Sequence, residues 1–384
     1  MTNIFVSIIV FFVLCFFTFG IVFMELLIGN FVWIPFIIIF AIFLYLLFLA
    51  FLFRYFKTKK RIIWFVVISC VAISASSIWP IYQKYVENIP TVSAEVNIYE
   101  YMPFEENSKV VTLEEEATLQ LSDSLPIMDG ATALYPIYSA IAQATYPKKE
   151  YDPYNSEVMV NTTPEAYENL INGKVDMIFV NEPSQKQLQR AKEKGVELKL
   201  IPIGKEAFVF FVNQKNEVDG LTLQQIKDIY SGKITSWKEV GGKNEPIRAY
   251  QRPEDSGSQT ALQSLMGDTP IMDAPRENVA SGMGEIISEV AQYRNFENAI
   301  GYTFRYYSQE MVGNNQIKLL AIDGVPPTKE TIRSGEYPIT GEFYIVTAGT
   351  ENPNVDKLID WVLSPQGQQL IEKVGYVPIN NVDE

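Results

Sequence analysis

The chain begins with three long apolar runs that are separated by short polar segments. They cover about residues 4–24, 31–53 and 62–79, and each is close to the ~20 residues that a helix needs to cross the hydrocarbon core of a bilayer. The loops between them are too short for anything other than successive crossings. The pattern therefore predicts a three-helix membrane anchor in residues 1–82.

Beyond the anchor, the pattern changes twice. Residues 83–122 are acidic and only weakly periodic, with Glu114, Glu115 and Glu116 at their centre. We interpret them as a connector that contributes a strand or a short helix and is not a separate domain. From residue 123 onward, short apolar strands alternate with helical patterns. Strands are predicted at 175–180, 198–203, 207–212 and 343–346, and helices at 136–144, 164–171, 185–194, 223–230 and 355–363.

Alternation of strands and helices is typical of an α/β fold with a mainly parallel sheet. About 260 residues are generous for one such sheet, so two lobes are expected. The predicted first lobe comprises residues 123–203 and 335–384, and the predicted second lobe comprises residues 204–334. The chain would cross between them near Ile203-Gly204 and Tyr337-Pro338.

The basic residues indicate how the anchor is oriented. All five bases of the first 82 residues lie in the 54–61 loop, between the second and third runs. Because short cytoplasmic loops carry an excess of Lys and Arg, this loop and the N-terminus are expected in the cytoplasm. The sequence predicts a multi-pass cell-membrane protein whose C-terminal body is extracytoplasmic. A cleaved signal peptide fits less well, since the second run follows the first at once.

The overall charge excludes some partners. The chain has 31 basic and 45 acidic residues. Subtracting the five bases and the one acid of residues 1–82 leaves 26 and 44, a formal charge of −18 for the remainder. Nucleic acids are poor partners for so acidic a body.

The residue inventory also limits the chemistry. The chain has no histidine, and its two cysteines, Cys15 and Cys70, lie in apolar runs. A Ser-His-Asp or Cys-His apparatus and a usual zinc site are therefore excluded. The segment 232–235 lacks the spacing of a phosphate-binding P-loop, and no carboxylate pair stands out. We expect no enzymatic activity, no cofactor and no metal.

Three segments predict helix starts that are rich in hydroxyl groups. They are 129–136, 161–165 with Thr163 as the expected cap and Pro164 after it, and 252–262, which carries Arg252 before a Ser-Gly-Ser turn. Backbone N–H groups at a helix start, nearby hydroxyls and a guanidinium suit a tetrahedral anion. Each segment alone is typical of a plain cap. Together they predict an oxyanion held between two lobes.

From about residue 124 to residue 379 the chain resembles the phosphate-binding proteins of bacterial ABC importers, a branch of the type II periplasmic-binding-protein fold. The resemblance covers some two-thirds of the sequence and rests on ordered segments. They are 130–136, 221–237, 252–258, 300–302 and 361–368. It implies a two-lobed α/β body, inorganic phosphate as the ligand, and separate ABC permease and ATPase subunits as partners.

The resemblance also implies which residues bind the ligand. On one side these are Thr132, the N–H of Ala133, and Thr162 or Thr163. From the other lobe they are Arg252, Ser256, Gly257 and Ser258, the last at a position where the family commonly has Thr.

One position departs from the family pattern. The family has an aspartate at the end of a strand, which accepts the ligand's proton and repels sulfate, whereas this chain has Asn181 followed by Glu182. Asparagine accepts through its carbonyl but lacks the charge. Glu182 would substitute if the strand were shifted by one residue. Phosphate and other oxyanions therefore remain alternatives.

The sequence predicts a membrane-tethered solute-binding protein that captures phosphate for an ABC importer. The alternative is a phosphate or oxyanion sensor, or an interaction protein, that signals through its membrane helices.

Overall fold

The computed structural model describes residues 2–28, 31–87, 91–93, 96–274, 292–294, 296–311 and 317–380. The chain forms two compact units, Met1–Pro90 and Thr91–Glu384. The division into anchor, connector and two lobes with the bounds given above stays a prediction.

The first unit consists of three helices, α1 (Thr2–Ile28), α2 (Ile34–Leu52) and α3 (Lys59–Glu87). All three are long and apolar enough to cross a membrane, as expected from the apolar runs. Most of their large apolar side chains are exposed, which suits a lipid environment.

Aromatic contacts hold the three helices against each other. Phe11 of α1 and Tyr45 of α2 meet edge to face with ring centroids 5.4 Å apart. Phe43 of α2 lies 6.0 Å from Phe65 of α3. Aromatic pairs in this range contribute about 0.5–1.5 kcal/mol beyond their buried area. The helices therefore form a packed unit.

The second unit is a mixed α/β body. Its strands are β1 (Thr91–Ser93), β2 (Met128–Gly130), β3 (Met177–Val180), β4 (Lys199–Asn213), β5 (Gly220–Leu221), β6 (Arg248–Ala249), β7 (Gln292–Arg294), β8 (Ala299–Phe304), β9 (Ile317–Leu319), β10 (Ala321–Ile322), β11 (Thr340–Thr347) and β12 (Val377–Pro378). Its helices are α4 (Tyr135–Thr145), α5 (Thr163–Ile171), α6 (Gln185–Glu193), α7 (Leu223–Tyr230), α8 (Gly257–Met266), α9 (Lys329–Ser334), α10 (Val355–Leu363) and α11 (Pro365–Val374).

The expectation of a mainly parallel sheet was wrong. The large sheet has the order β2-β3-β11-β4-β8-β6, with β9 and β12 also paired to β4. Only the outer pairs β2–β3 and β6–β8 are parallel, whereas β11 and β8 run antiparallel to β4. Strands β4 and β11 lie side by side between the two parallel pairs. Each of them runs antiparallel to both of its neighbours in this strand order.

Strand β4 joins the two halves of the sheet. Its first part pairs with β11 and its second part with β8, so the two strands predicted at 198–203 and 207–212 are one continuous strand. Gly204 lies at the centre, where an added Cβ would stand 2.3 Å from the Phe343 ring and 2.9 Å from the Val377 carbonyl oxygen. Only glycine allows the neighbouring chains to approach so closely.

Buried apolar residues form two main clusters, one on each half of β4. The first includes Tyr135, Tyr138, Phe179, Leu358 and Leu370. The second includes Phe210, Tyr230, Trp237, Tyr302 and Tyr337. Each half of the sheet thus has its own core.

Residues 96–122 of the predicted connector pack against the first cluster, to which Val96, Tyr101 and Leu121 belong. Residues Ile98–Tyr101 form a short 3-10 helix with both end residues buried. The side chain of Gln366 accepts from Thr118 N at 2.9 Å and donates to the Glu116 carbonyl at 3.0 Å. These bonds tie the acidic segment to the start of α11.

Glu206 is a buried carboxyl group in the middle of β4. It accepts from the backbone N–H of Ala207 at 2.8 Å and of Tyr306 at 3.2 Å. Burial raises the pKa of this carboxyl to about 7, although those N–H donors and the charges of Arg305 and Lys329 oppose the shift. The group therefore titrates near neutrality in the folded chain.

We expect Glu206→Gln to flatten the dependence of stability on pH. The folded-state pKa lies above the ordinary 4.5, so the contribution of this group is fully present below that value and is lost as pH rises through about 7. Wild type should lose about 3 kcal/mol more than the variant between pH 4.5 and 8. Thermal unfolding of the detergent-solubilised chain measures this difference. Glu351→Gln, at an exposed position, is the control, and identical pH profiles for Glu206→Gln and wild type would contradict the assignment.

Candidate functional site

Thr132 and Asn181 each follow one of two neighbouring parallel strands. Strands β2 and β3 pair with Gly130 opposite Phe179, and Ala131 N donates to the Phe179 carbonyl at 2.9 Å. A 3-10 helix that starts at Thr132 follows β2, and Asn181 follows β3 directly. Because the carboxyl ends of parallel strands meet at one edge, Thr132, Ala133 and Asn181 lie at the same edge of the sheet.

Asp129, at the centre of β2, fixes the loops around this edge. Its carboxylate is fully buried and accepts four hydrogen bonds. Oδ1 accepts from Gly130 N at 2.8 Å and Asn161 N at 3.0 Å. Oδ2 accepts from the side-chain amides of Asn161 and Asn169, each at 2.9 Å. One carboxylate thus positions both the segment before Thr132 and the segment before Thr162.

The cap expected at Thr163 lies one residue earlier. Helix α5 begins at Thr163, and Thr162 is the N-cap residue with extended backbone dihedrals. Pro164 occupies the second helical position, where its missing N–H costs no intrahelical bond. Within the described residues, the Thr162 side chain makes no capping bond. The Thr162 hydroxyl therefore differs from an ordinary cap, and the Thr163 side chain is buried.

The third segment turns into α8 as expected. Ser256 is the N-cap, and its hydroxyl accepts from Gln259 N at 3.3 Å. Arg252 N donates to Gln259 Oε1 at 3.0 Å and to the Tyr302 hydroxyl at 2.9 Å. These bonds fix the backbone on both sides of the turn, so that Arg252 and the first N–H groups of α8 belong to one ordered loop.

The second and third segments meet at Gly257. A Cβ added there would stand 3.2 Å from Thr163 Oγ1, which is closer than most real contacts of a Cβ atom. The absence of a side chain at Gly257 therefore lets the start of α8 approach the start of α5. The structure brings Thr162 and Thr163 together with Ser256, Gly257 and Ser258.

Asn181 lies where the sequence places it. Strand β3 ends at Val180, which pairs with Tyr344, so the strand is not shifted toward Glu182. The Asn181 carbonyl accepts from the Tyr167 hydroxyl at 2.8 Å, which fixes the backbone just after the strand. Asn181 is half-buried, and Glu182 is exposed.

All nine predicted ligand residues thus lie on segments that the fold joins through Asp129, Gly257 and the β2–β3 edge. Hydroxyls, helix-start N–H groups and one guanidinium are the donors that a tetrahedral oxyanion accepts from. Within the described residues, no group of three or more Asp, Glu or Cys side chains could hold a metal ion.

The sequence patterns missed two residues that organise the site. Asp129 and Asp255 each bind groups more than 30 positions away, which no local pattern reveals. The sequence signal for Asp129 was its position directly before Gly130 in the first segment.

A family model for the PBP superfamily domain matches residues 126–366, more than half of the chain. The chain belongs to the PBP superfamily. The three N-terminal helices lie outside the part that this superfamily model matches.

Named relatives of this PBP superfamily member are phosphate-binding proteins. The phosphate-binding protein PstS of Borreliella burgdorferi is 24% identical over 268 residues, covering 68% of this chain and 92% of that protein. The PstS of Staphylococcus saprophyticus is 25% identical over 269 residues, covering 66% of this chain and 80% of that protein. Among solved structures, an ABC-type phosphate transport receptor from Vibrio cholerae is 20% identical with a TM-score of 0.47, covering 65% of this chain and 98% of that one.

We expect Asp129→Asn to destabilise the chain by about 2–4 kcal/mol, because an amide would face the Asn161 and Asn169 amide donors inside the core. Thermal unfolding of the detergent-solubilised protein measures the loss. Asp360→Asn on the exposed face of α10 is the matched control. A change within about 0.5 kcal/mol in the Asp129 variant would show that the carboxylate is not the organising group.

Proposed function

We propose that this chain is a membrane-tethered solute-binding protein that captures inorganic phosphate between its two lobes and delivers it to an ABC importer. The observation that carries the proposal is the close approach of Gly257 to Thr163, where an added Cβ would stand 3.2 Å from Thr163 Oγ1. This approach brings two hydroxyl-rich helix starts from distant parts of the chain together, one of them in the same loop as Arg252. The names of the PstS relatives support phosphate as the ligand.

The charge of the body determines how such a site would work. An anion gains nothing from the overall field of a body with a formal charge of −18. Binding must come from short-range donors, namely the hydroxyls of Thr132, Thr162 and Ser258 and the Arg252 guanidinium. Charge-assisted hydrogen bonds strengthen when water is excluded. Closure of two lobes over a dehydrated phosphate would supply that exclusion.

The anchor would keep the binding body at the outer face of the membrane. The five bases of the 54–61 loop favour a cytoplasmic position for this loop, which places everything after α3 outside. Transport would then require separate permease and ATPase subunits, since the chain has no P-loop. No enzymatic activity is proposed.

We expect Arg252→Ala to weaken phosphate binding at least about 100-fold, because a buried anion would lose its only charged donor in the proposed site. Calorimetric titration of the full chain in detergent with phosphate measures the change. Arg190→Ala, which removes a partly exposed arginine paired with Glu168, should bind like wild type. Unchanged affinity in a folded Arg252→Ala would remove this residue from the site, and no heat with wild type would overturn the phosphate assignment.

We expect Asn181→Asp to raise the preference for phosphate over sulfate by about tenfold, because a carboxylate accepts the proton of hydrogen phosphate and repels fully ionised sulfate. Parallel titrations with the two anions measure the ratio. Glu182→Gln tests the neighbouring carboxylate. If Glu182→Gln abolished an existing preference while Asn181→Asp changed nothing, selectivity would belong to Glu182.

A further inference from the structure

Asp255 has an unusual backbone in the middle of the third segment. Its φ is +69°, a left-handed conformation that residues other than glycine rarely adopt. Its side chain is only 12% exposed. A buried, charged residue in such a conformation indicates that contacts of its side chain determine its place.

Three contacts of Asp255 go to residues at the start of α6. Oδ1 accepts from the Ser184 hydroxyl at 2.7 Å. Oδ2 lies 2.7 Å from Lys186 Nζ. The carbonyl oxygen accepts from Gln187 Nε2 at 3.5 Å. Ser184 and Gln187 are buried, so this is a desolvated connection with one ion pair at its rim.

The fold of α6 does not depend on this connection. Ser184 already caps α6, because its hydroxyl oxygen accepts from Gln187 N at 3.1 Å and its N–H donates to Gln187 Oε1 at 2.8 Å. Capping uses the hydroxyl as an acceptor. The hydroxyl proton is not needed for the cap and is donated to Asp255, so the Ser184–Asp255 bond serves to join two segments.

The two joined segments both belong to the proposed phosphate site. Ser184 lies three residues after Asn181, in the predicted first lobe. Asp255 directly precedes Ser256 and Gly257, in the predicted second lobe. The bond thus fixes the Arg252–Ser258 loop against the segment that follows β3. The Lys186 ammonium also neutralises a carboxylate that would otherwise lie beside a bound anion.

We infer that Asp255 is a positioning residue that holds the Arg252–Ser258 loop on the opposite lobe through Ser184, and thereby sets how long the oxyanion stays bound. This inference rests on the proposed function. Since the bond forms only when the two segments meet, its loss accelerates release more than it slows capture.

Phosphate dissociation from the full chain in detergent tests the inference, with inorganic phosphate as the probe and stopped-flow mixing as the measurement. Asp255→Ala and Ser184→Ala should each release phosphate about tenfold faster, with association rates changed less than threefold. The double variant should be no faster than either single variant, because both remove the same bond. Lys192→Met, on the exposed side of α6, should match wild type.

Two further variants separate the carboxylate from the backbone. Asp255→Gly adopts the left-handed conformation without strain and should release phosphate as fast as Asp255→Ala. Asp255→Asn keeps an oxygen that accepts from Ser184 and should restore most of the wild-type rate. Slow release from Asp255→Gly would overturn the inference, as would fully additive effects of Asp255→Ala and Ser184→Ala.

A failure of the inference about the Ser184–Asp255 bond can be distinguished from a failure of the proposed phosphate-binding function. If wild type bound no phosphate, the proposed function would fail. The Ser184–Asp255 bond is then tested by thermal unfolding of wild type, Asp255→Ala, Ser184→Ala and the double variant. If the bond exists, the losses of stability in the two single variants do not add up in the double variant. Additive losses would show that the two side chains do not act together.

Discussion

The buried Asp129 carboxylate is the interaction on which the proposed site depends. An ionised group without water is tolerated only when donors surround it, and here four N–H groups from Gly130, Asn161 and Asn169 do so. Because two of the donors are backbone groups, satisfying the charge also fixes the backbone that carries Thr132 and Thr162. The donors that offset the cost of burying this charge therefore also place the segments that precede Thr132 and Thr162.

Local chemistry made much of the fold predictable. Helices α5 and α7 agree with the predicted ranges to within one residue, because Pro164 in the first turn of α5 and the Thr222 cap before α7 are local signals. The three membrane spans follow from length and hydropathy alone. The direction of the strands was not predictable in this way. β11 begins more than 120 positions after β4 ends, and neither segment has a sequence pattern that indicates antiparallel pairing between them.

The residues of the candidate site also differ in how far the sequence predicts them. Its hydroxyls and Arg252 are visible in the sequence because helix starts have recognisable composition. The groups that hold them in place are not, since Asp129 acts on Asn161 and Asn169 and Asp255 acts on Ser184. The left-handed backbone of Asp255 gives no compositional signal either, because the residue is not glycine. Sequence patterns identify the candidate donors, whereas tertiary contacts determine whether those donors converge.

The two aspartates also explain how so acidic a body could hold the proposed anion site. Net charge acts over long distances and is screened by salt within about 10 Å, whereas the field at a buried point is set by the nearest groups. Asp129 is surrounded by N–H donors, and Asp255 is paired with Ser184 and Lys186. Each carboxylate is compensated by its own partners, so the N–H groups of α8 and the Arg252 guanidinium can determine the local potential. The −18 charge then affects how the body meets other molecules, while these local pairs would determine which anion the proposed site accepts.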